Sequence, residues 1–300
     1  MSGLSFGIVD VFAPSPLTGN PLAVVADADG LSDETLALIA REFNQAETTF
    51  LLAPRAGGDR RLRSYTAAGT EVFGAGHNAL GAWLWLAQQR QLGPIGAGLH
   101  LKQEIGLHVL PVDVHERSGA IFVTLEQAPP RYLREPEDFA ALARALALAE
   151  RDLLTAPRPR VVSTGADHLL VGVADRAAVD RAAPDAPALA VELRKIGAQG
   201  CYVFALEPPG EIAAYTRFFN PTVGLWEDCA TGSAAGPLAA YLVKHGIAKA
   251  GMEIRFEQGR KMGRPSRLSV RVEGNAVRLT GSGHTVAVGR LLIGGVATAT

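Results

Sequence analysis

Two short turns rich in small residues each precede a helix-like segment, and both could bind an anion. The first spans 73–79 (Phe-Gly-Ala-Gly-His-Asn-Ala) and the second spans 228–236 (Asp-Cys-Ala-Thr-Gly-Ser-Ala-Ala-Gly). Small side chains let a ligand approach the backbone, and the first N–H groups of a helix have no partner within the helix. The amides near Gly76 and Gly232 are therefore predicted to hold a carboxylate or a developing enolate.

Three ionisable side chains near these turns could move or position a proton. Glu47 lies between a predicted helix end and a buried strand, where partial loss of water would suit it to proton transfer. A solvated loop glutamate is the alternative. His77 lies at a helix start, where the positive end of the helix dipole favours the neutral imidazole. Asp228 is either a site acid or a helix-capping residue.

The sequence gives weaker indications of a reactive cysteine and of a dinucleotide-binding turn. Cys229 abuts the second turn, either as a stabilised thiolate or as a small apolar filler. Residues 74–79 fit the G-x-G-x-x-G/A dinucleotide pattern, but no acidic residue follows in 91–98, and Glu104 comes too late to hold a ribose. The glycine pattern leaves an NAD(P)-dependent oxidoreductase as an alternative function, although the missing acidic residue argues against it. The seven histidines show no metal-ligand spacing, so no metal is predicted.

Composition narrows the class of protein. The 300 residues are 48% hydrophobic and 20% charged, which excludes a disordered chain. A formal net charge of −1 without a basic run argues against a nucleic-acid partner. The longest apolar stretches, 79–87 and 291–300, fall short of the ~20 residues that a membrane span needs. Two cysteines fit a reducing compartment, so a cytoplasmic protein is predicted.

Hydrophobic periodicity predicts the elements that position these residues. Predicted strands are 6–12, 21–26, 48–52, 61–66, 99–103, 107–114, 120–125, 202–206, 217–220 and 286–293, and predicted helices are one capped by Ser32, then 76–89, 137–154 and 188–196. The Pro-rich stretch 128–131 predicts a domain boundary. Beyond it the order of elements repeats: Arg217 matches Arg63 at an offset of 154. Two like halves predict a cleft between them, where small-molecule sites form.

Three segments of the chain resemble the signature segments of the PhzF-like phenazine biosynthesis family, which is related to diaminopimelate epimerase. They are 44–50 (Asn-Gln-Ala-Glu-Thr-Thr-Phe), 76–81 (Gly-His-Asn-Ala-Leu-Gly) and 227–234 (Glu-Asp-Cys-Ala-Thr-Gly-Ser-Ala). The resemblance implies an isomerase without a cofactor. It would move a proton on a small carboxylate substrate by general acid–base catalysis in the cleft.

The same resemblance implies the architecture. The expected fold class is α+β, with two similar domains, each a curved, mostly antiparallel or mixed sheet wrapped around a central buried helix. The expected domains are 1–128 plus 286–300, and 129–285. The resemblance also implies a homodimer.

Site residues are carried over by motif. The resemblance implies catalytic roles for Glu47, His77 and Asp228, and substrate contacts for Gly76, Asn78, Thr231, Gly232 and Ser233. Cys229 stands where the family usually has proline, and where related epimerases keep one of two catalytic cysteines. The other cysteine would fall at Ala75, so a two-thiol mechanism cannot operate. A one-cysteine epimerase variant and a non-catalytic binding module remain as alternatives.

Overall fold

Strands dominate the chain, and helices are few. The computed structural model describes residues 3–293. The strands are β1 Leu4–Val11, β2 Asn20–Val25, β3 Glu47–Leu52, β4 Arg60–Thr66, β5 Glu71–Val72, β6 Leu99–Ile105, β7 His108–Arg117, β8 Ala120–Gln127, β9 Arg131–Tyr132, β10 Arg160–Ser163, β11 Asp167–Gly172, β12 Gly200–Leu206, β13 Ala214–Asn220, β14 Leu225–Asp228, β15 Glu253–Gln258, β16 Ser266–Glu273 and β17 Ala276–Leu291. The helices are α1 Asp33–Phe43, α2 His77–Gln88, α3 Phe139–Ala145, α4 Arg176–Arg181, α5 Ala186–Ile196 and α6 Gly232–Lys244. None of the helices in this described part is long and apolar enough to cross a bilayer.

The chain divides into two compact units. Among the described residues, the first comprises 3–126 with 280–293, and the second comprises 127–279. The sequence analysis placed the domain boundaries after residues 128 and 285, whereas the structure places them after residues 126 and 279. The predicted first domain also takes in 294–300, which lies outside the described residues.

The first unit packs a mixed sheet against α2. β1 pairs antiparallel with β2, β2 runs parallel to β3, β3 is antiparallel to β4, and β4 runs parallel to β6, which pairs antiparallel with β7. Residues 78–87 of α2 are all buried, because a helix that is apolar on every face must be covered all round. At Gly81 an added Cβ would lie 2.6 Å from Leu22 and Val11, so the glycine allows the helix to lie close to β1 and β2.

The second unit has the same order of strand pairings around α6. β10 pairs antiparallel with β11, β11 runs parallel to β12, β12 is antiparallel to β13, and β13 runs parallel to β15, which pairs antiparallel with β16. Gly236 is the fifth residue of α6, as Gly81 is of α2, and a Cβ there would overlap the Gln127 side chain. The two helices begin 155 residues apart (232 − 77), one more than the predicted offset.

Two predicted elements differ most in extent from the observed ones. The helix expected over 137–154 is only Phe139–Ala145, because Ala147 adopts φ +55 and the Leu148 N–H turns back to the Ala143 carbonyl, which ends the helix. The strand expected over 286–293 begins at Ala276.

The glycines inside β17 explain why its start was missed. An added Cβ at Gly281 would lie 2.5 Å from the Phe12 ring, and one at Gly283 would overlap the Asp10 backbone. These glycines therefore permit close packing within a continuous strand and do not interrupt it.

Candidate active site

Glu47 and His77 are brought together in the first unit. Glu47 is the first residue of β3, and His77 is the first residue of α2. His77 Nδ1 lies 3.6 Å from Glu47 Oε2, and the two side chains are 12% and 23% exposed. The separation is slightly too long for a direct hydrogen bond, but such contacts often shorten when substrate binds. A carboxylate that reaches solvent thus lies beside a nearly covered imidazole.

His77 is neutral at physiological pH. Burial lowers its pKa from about 6.5 to about 4. The neutral state agrees with the expectation, and loss of water around the ring favours it. Nε2 is buried and has no hydrogen-bond partner among the described residues. Because orphaned buried N–H groups are rarer than orphaned acceptors, we assign the proton to Nδ1, which faces Glu47. A neutral N–H can hold the Glu47 carboxylate in place without neutralising it.

Asn78 fastens the first turn. Its Oδ1 accepts a 2.8 Å hydrogen bond from the Gly76 N–H, and its Nδ2 donates to the Gly74 carbonyl at 2.9 Å and to Ser64 Oγ at 3.1 Å. The Gly76 amide expected to hold an anion is therefore already used within the turn. α2 has no side-chain cap, so the N–H groups that can face an anion begin at His77. Direct contact of Asn78 with substrate stays a prediction.

Asp228 is held by the second turn. It ends β14, and its Oδ2 accepts a 2.6 Å hydrogen bond from Thr231 Oγ1. Thr231 is the N-cap residue of α6, yet its hydroxyl serves Asp228 and does not cap an amide. Gln258 joins both residues, since its Oε1 accepts from the Thr231 N–H at 3.2 Å and its Nε2 donates to the Asp228 carbonyl at 2.7 Å. Sequence analysis missed Gln258, because nothing in its spacing marks it.

A buried ion pair fixes the orientation of β14. Arg217 Nε and Nη2 each donate to the Glu227 carboxylate at 2.8 Å, and the side chains are 7% and 8% exposed. Neighbouring side chains of a strand point to opposite faces, so anchoring Glu227 inward turns Asp228 the other way. Arg63 and Glu71 form the same two-pronged pair in the first unit, with both hydrogen bonds at 2.7 Å.

Ser233 is the second residue of α6, and its hydroxyl contacts a histidine that the sequence analysis did not connect to the site. His168 Nε2 lies 3.1 Å from Ser233 Oγ. His168 is buried, and burial lowers its pKa to about 4. No motif spacing links these residues, because His168 comes from β11.

Cys229 is buried and protonated. Burial, helped by the nearby Asp228 charge, raises the pKa of its thiol to about 12. This burial disfavours the stabilised thiolate considered above and favours the alternative, a small apolar filler, whose Cβ lies close to Gly259. A one-cysteine epimerase mechanism needs a thiolate that this environment disfavours. Within residues 3–293, no cluster of His, Cys, Asp and Glu is arranged to hold a metal ion.

The two buried histidines predict acid sensitivity of the fold. His77 and His168 have pKa values of about 4 in the folded chain against about 6.5 without burial, so only the unfolded chain takes up these protons as the pH falls below 6.5. The free energy of unfolding should therefore fall by up to about 1.4 kcal/mol per pH unit for each histidine between pH 6.5 and about 5. Urea unfolding at closely spaced pH values measures this slope.

Replacing one of the two histidines isolates its share of that slope. His168→Leu should remove about half of the slope, because only one of the two buried imidazoles remains. A pH-independent unfolding free energy across this window would contradict the neutral, buried state of both rings.

Comparison with known proteins identifies the family of this chain. A family model for phenazine biosynthesis-like proteins, PhzC-PhzF, matches residues 9–289. Trans-2,3-dihydro-3-hydroxyanthranilate isomerase of Pseudomonas aeruginosa is 35% identical over 289 residues, covering 94% of this chain and 97% of the relative. The uncharacterized isomerase YddE of Escherichia coli K12 is 33% identical over 269 residues, covering 88% of each chain.

Among solved structures, the PhzF-family phenazine biosynthesis protein of Bacillus anthracis superposes with a TM-score of 0.88 at 26% identity. The match covers 98% of this chain and 100% of that one. The expected family is confirmed by these matches over nearly the whole chain. The chain belongs to the phenazine biosynthesis-like family PhzC-PhzF, and it is an isomerase.

Proposed function

We propose that this isomerase moves a proton on a small carboxylate substrate by general acid–base catalysis, without a cofactor, and that Glu47 is the acid–base group. The observation that carries the proposal is the Glu47 carboxylate 3.6 Å from an imidazole that burial keeps neutral. A cationic histidine would weaken the carboxylate as a base, whereas a neutral one leaves it able to accept a proton.

The proposed reaction is a proton relocation within one molecule. Glu47 accepts a proton from a carbon next to an unsaturated or carbonyl group, and the C–H electron pair enters the conjugated system. The protonated Glu47 then returns a proton to another carbon of the same system, so that no net oxidation occurs. The uncapped N–H groups at the start of α2, next to His77, suit the transient negative charge.

The residues of the second unit are proposed to bind the substrate. Asp228 and Ser233 are proposed to orient polar groups of the substrate, and α6 supplies further uncapped N–H groups for a carboxylate. The 2.6 Å hydrogen bond from Thr231 supports this role for Asp228, because it fixes the carboxylate in one orientation.

The proposed substrate is an unsaturated, ring-bearing carboxylate. The Pseudomonas aeruginosa relative is named for trans-2,3-dihydro-3-hydroxyanthranilate, which belongs to this class. A homodimer in the cytoplasm, without nucleic-acid or membrane partners, is also part of the proposal, and light scattering coupled to size exclusion tests the dimer.

Incubation of the purified chain with trans-2,3-dihydro-3-hydroxyanthranilate in D₂O, without added nicotinamide or metal, tests the reaction. Glu47 reaches solvent, so its proton should exchange and the isomer should carry deuterium at the newly protonated carbon. NMR of the product shows whether the isomer forms and whether it carries deuterium. An enzyme-free sample is the control. Absence of any isomer across a panel of related carboxylates would contradict the proposed function.

A further inference from the structure

A second buried histidine, His168, lies next to Ser233, whose hydroxyl is proposed to bind substrate. β11 runs parallel to β12 and places His168 opposite Gly200. The His168 ring meets the Phe218 ring edge-on, with centroids 4.9 Å apart, and a Cβ at Gly200 would overlap that phenylalanine. This packing fixes the imidazole in one place, with Nε2 aimed at Ser233 on α6.

The two ring nitrogens of His168 have different surroundings. Nε2 lies 3.1 Å from Ser233 Oγ, whereas Nδ1 is buried with no hydrogen-bond partner in the described part of the chain. A neutral imidazole carries one N–H and one acceptor nitrogen. Since leaving a buried N–H unmet is rarer than leaving a lone pair unmet, the proton belongs on Nε2. Burial, which keeps the pKa of His168 at about 4, excludes a proton on both nitrogens at neutral pH.

This tautomer determines whether the Ser233 hydroxyl accepts or donates its hydrogen bond with His168. If Nε2 donates, Ser233 Oγ accepts, and the hydroxyl hydrogen must point elsewhere. Ser233 is only partly covered while His168 is buried, and His168 is its hydrogen-bonded side-chain partner within residues 3–293. The hydroxyl hydrogen is therefore left for a partner other than His168, at a position beside the uncapped start of α6.

We propose that His168 is a positioning residue that fixes the Ser233 hydroxyl as a hydrogen-bond donor to an acceptor oxygen of the substrate. The inference rests on the proposed function for the nature of that acceptor, a carboxylate. It excludes the opposite use of the pair, in which Nε2 would accept the serine proton and activate a nucleophile.

Histidine tautomers provide a test that needs no substrate. In protein labelled with ¹⁵N-histidine, long-range ¹H–¹⁵N correlation at pH 7 distinguishes a proton on Nε2 from one on Nδ1. We expect Nε2–H for His168 and the opposite tautomer, Nδ1–H, for His77 in the same spectrum, with His168→Gln and His77→Asn assigning the signals. An Nδ1–H tautomer at His168 would overturn the proposal.

A double-mutant cycle tests whether His168 acts through Ser233. His168→Leu should lower kcat/KM about tenfold, mainly through KM, because it removes one oriented hydrogen bond. His168→Gln, whose amide can still donate, should stay within about threefold of wild type. In the Ser233→Ala background, His168→Leu should have no further effect, and His100→Leu should have none in either background.

Each outcome of the cycle is decisive. An equal loss from His168→Leu in both backgrounds would show a purely structural role and overturn the proposal, as would failure of His168→Gln to restore activity. The same double-mutant cycle can be repeated with the Kd of anthranilate as the readout. Binding of this carboxylate reports the contact with Ser233 without turnover. A wild-type chain that isomerises no carboxylate yet shows the expected tautomer and coupled anthranilate binding would contradict the proposed function and leave the role of His168 standing.

Discussion

Replacing Glu47 with glutamine is expected to lower kcat for the isomerisation by about 10²–10⁴-fold, the usual contribution of a positioned acid–base group. Glutamine keeps the shape of the side chain and the approach to His77 but cannot accept a proton. KM should change little, because the substrate contacts proposed for α2 and α6 do not involve this carboxylate. Steady-state kinetics on the best carboxylate substrate measure both constants.

Glu42, five residues before Glu47, provides a matched control. Glu42 is an exposed residue of α1, so Glu42→Gln makes the same chemical change near the same strand and should leave kcat unaltered. Deuterium uptake in D₂O gives an independent reading. Equal uptake by wild type and Glu47→Gln, or a loss of kcat below tenfold, would remove Glu47 from the proton-transfer step.

Replacing Arg217 with methionine is expected to lower the free energy of unfolding by about 3–5 kcal/mol. The substitution leaves the Glu227 carboxylate buried without its cation. It also removes the Nη1 donor that serves the carbonyls of Val179 at 3.0 Å and Ala182 at 2.6 Å. Urea or thermal unfolding followed by circular dichroism measures the loss.

The repeated pair in the first unit provides the matched comparison. Arg63 and Glu71 are 14% and 23% exposed, so solvent can take up part of the lost interaction. Arg63→Met should therefore cost less, about 1–2 kcal/mol. Removing both charges with Arg217→Met and Glu227→Met should recover about 2 kcal/mol relative to Arg217→Met alone. Equal losses from Arg217→Met and Arg63→Met would contradict the dependence on burial.

Elements with a strong local signal were predictable from the sequence. Ser32 was expected to cap α1, and its Oγ does accept from the Thr35 N–H at 3.3 Å. The all-apolar stretch within α2 predicted a buried helix, and every residue from 78 to 87 is buried. In both cases the decisive interactions lie within a few residues, so sequence pattern and final packing agree.

Features that depend on distant partners were not predictable. The alanine- and leucine-rich stretch after Phe139 favours a long helix by propensity, yet the chain turns at Ala147. His168 and Gln258 reach the second turn from other strands, across 65 and 27 residues to Ser233 and Thr231. Likewise, the choice between thiolate and filler for Cys229 depended on burial, which a single sequence does not show.

The candidate site was predictable to the extent that its residues lie in contiguous motifs. Glu47 and His77 were expected from the sequence, and the structure places them side by side. The hydrogen bond from the Gly76 N–H to Asn78 was not predictable, because it depends on the conformation of the asparagine side chain. Anion binding by the amides near Gly76 and Gly232 stays a prediction. The assignment of Asp228 and Ser233 to substrate stays a prediction that the kinetic variants address.

The burial of both cysteines has a practical consequence for inhibition. Loss of water raises the pKa of the Cys201 thiol as well as that of Cys229, so neither sulfur is a thiolate at neutral pH. Alkylating reagents such as iodoacetamide attack thiolates, and they would inactivate an enzyme that abstracts its proton with sulfur. This chain should retain its activity through prolonged iodoacetamide treatment under native conditions and become alkylated only after denaturation.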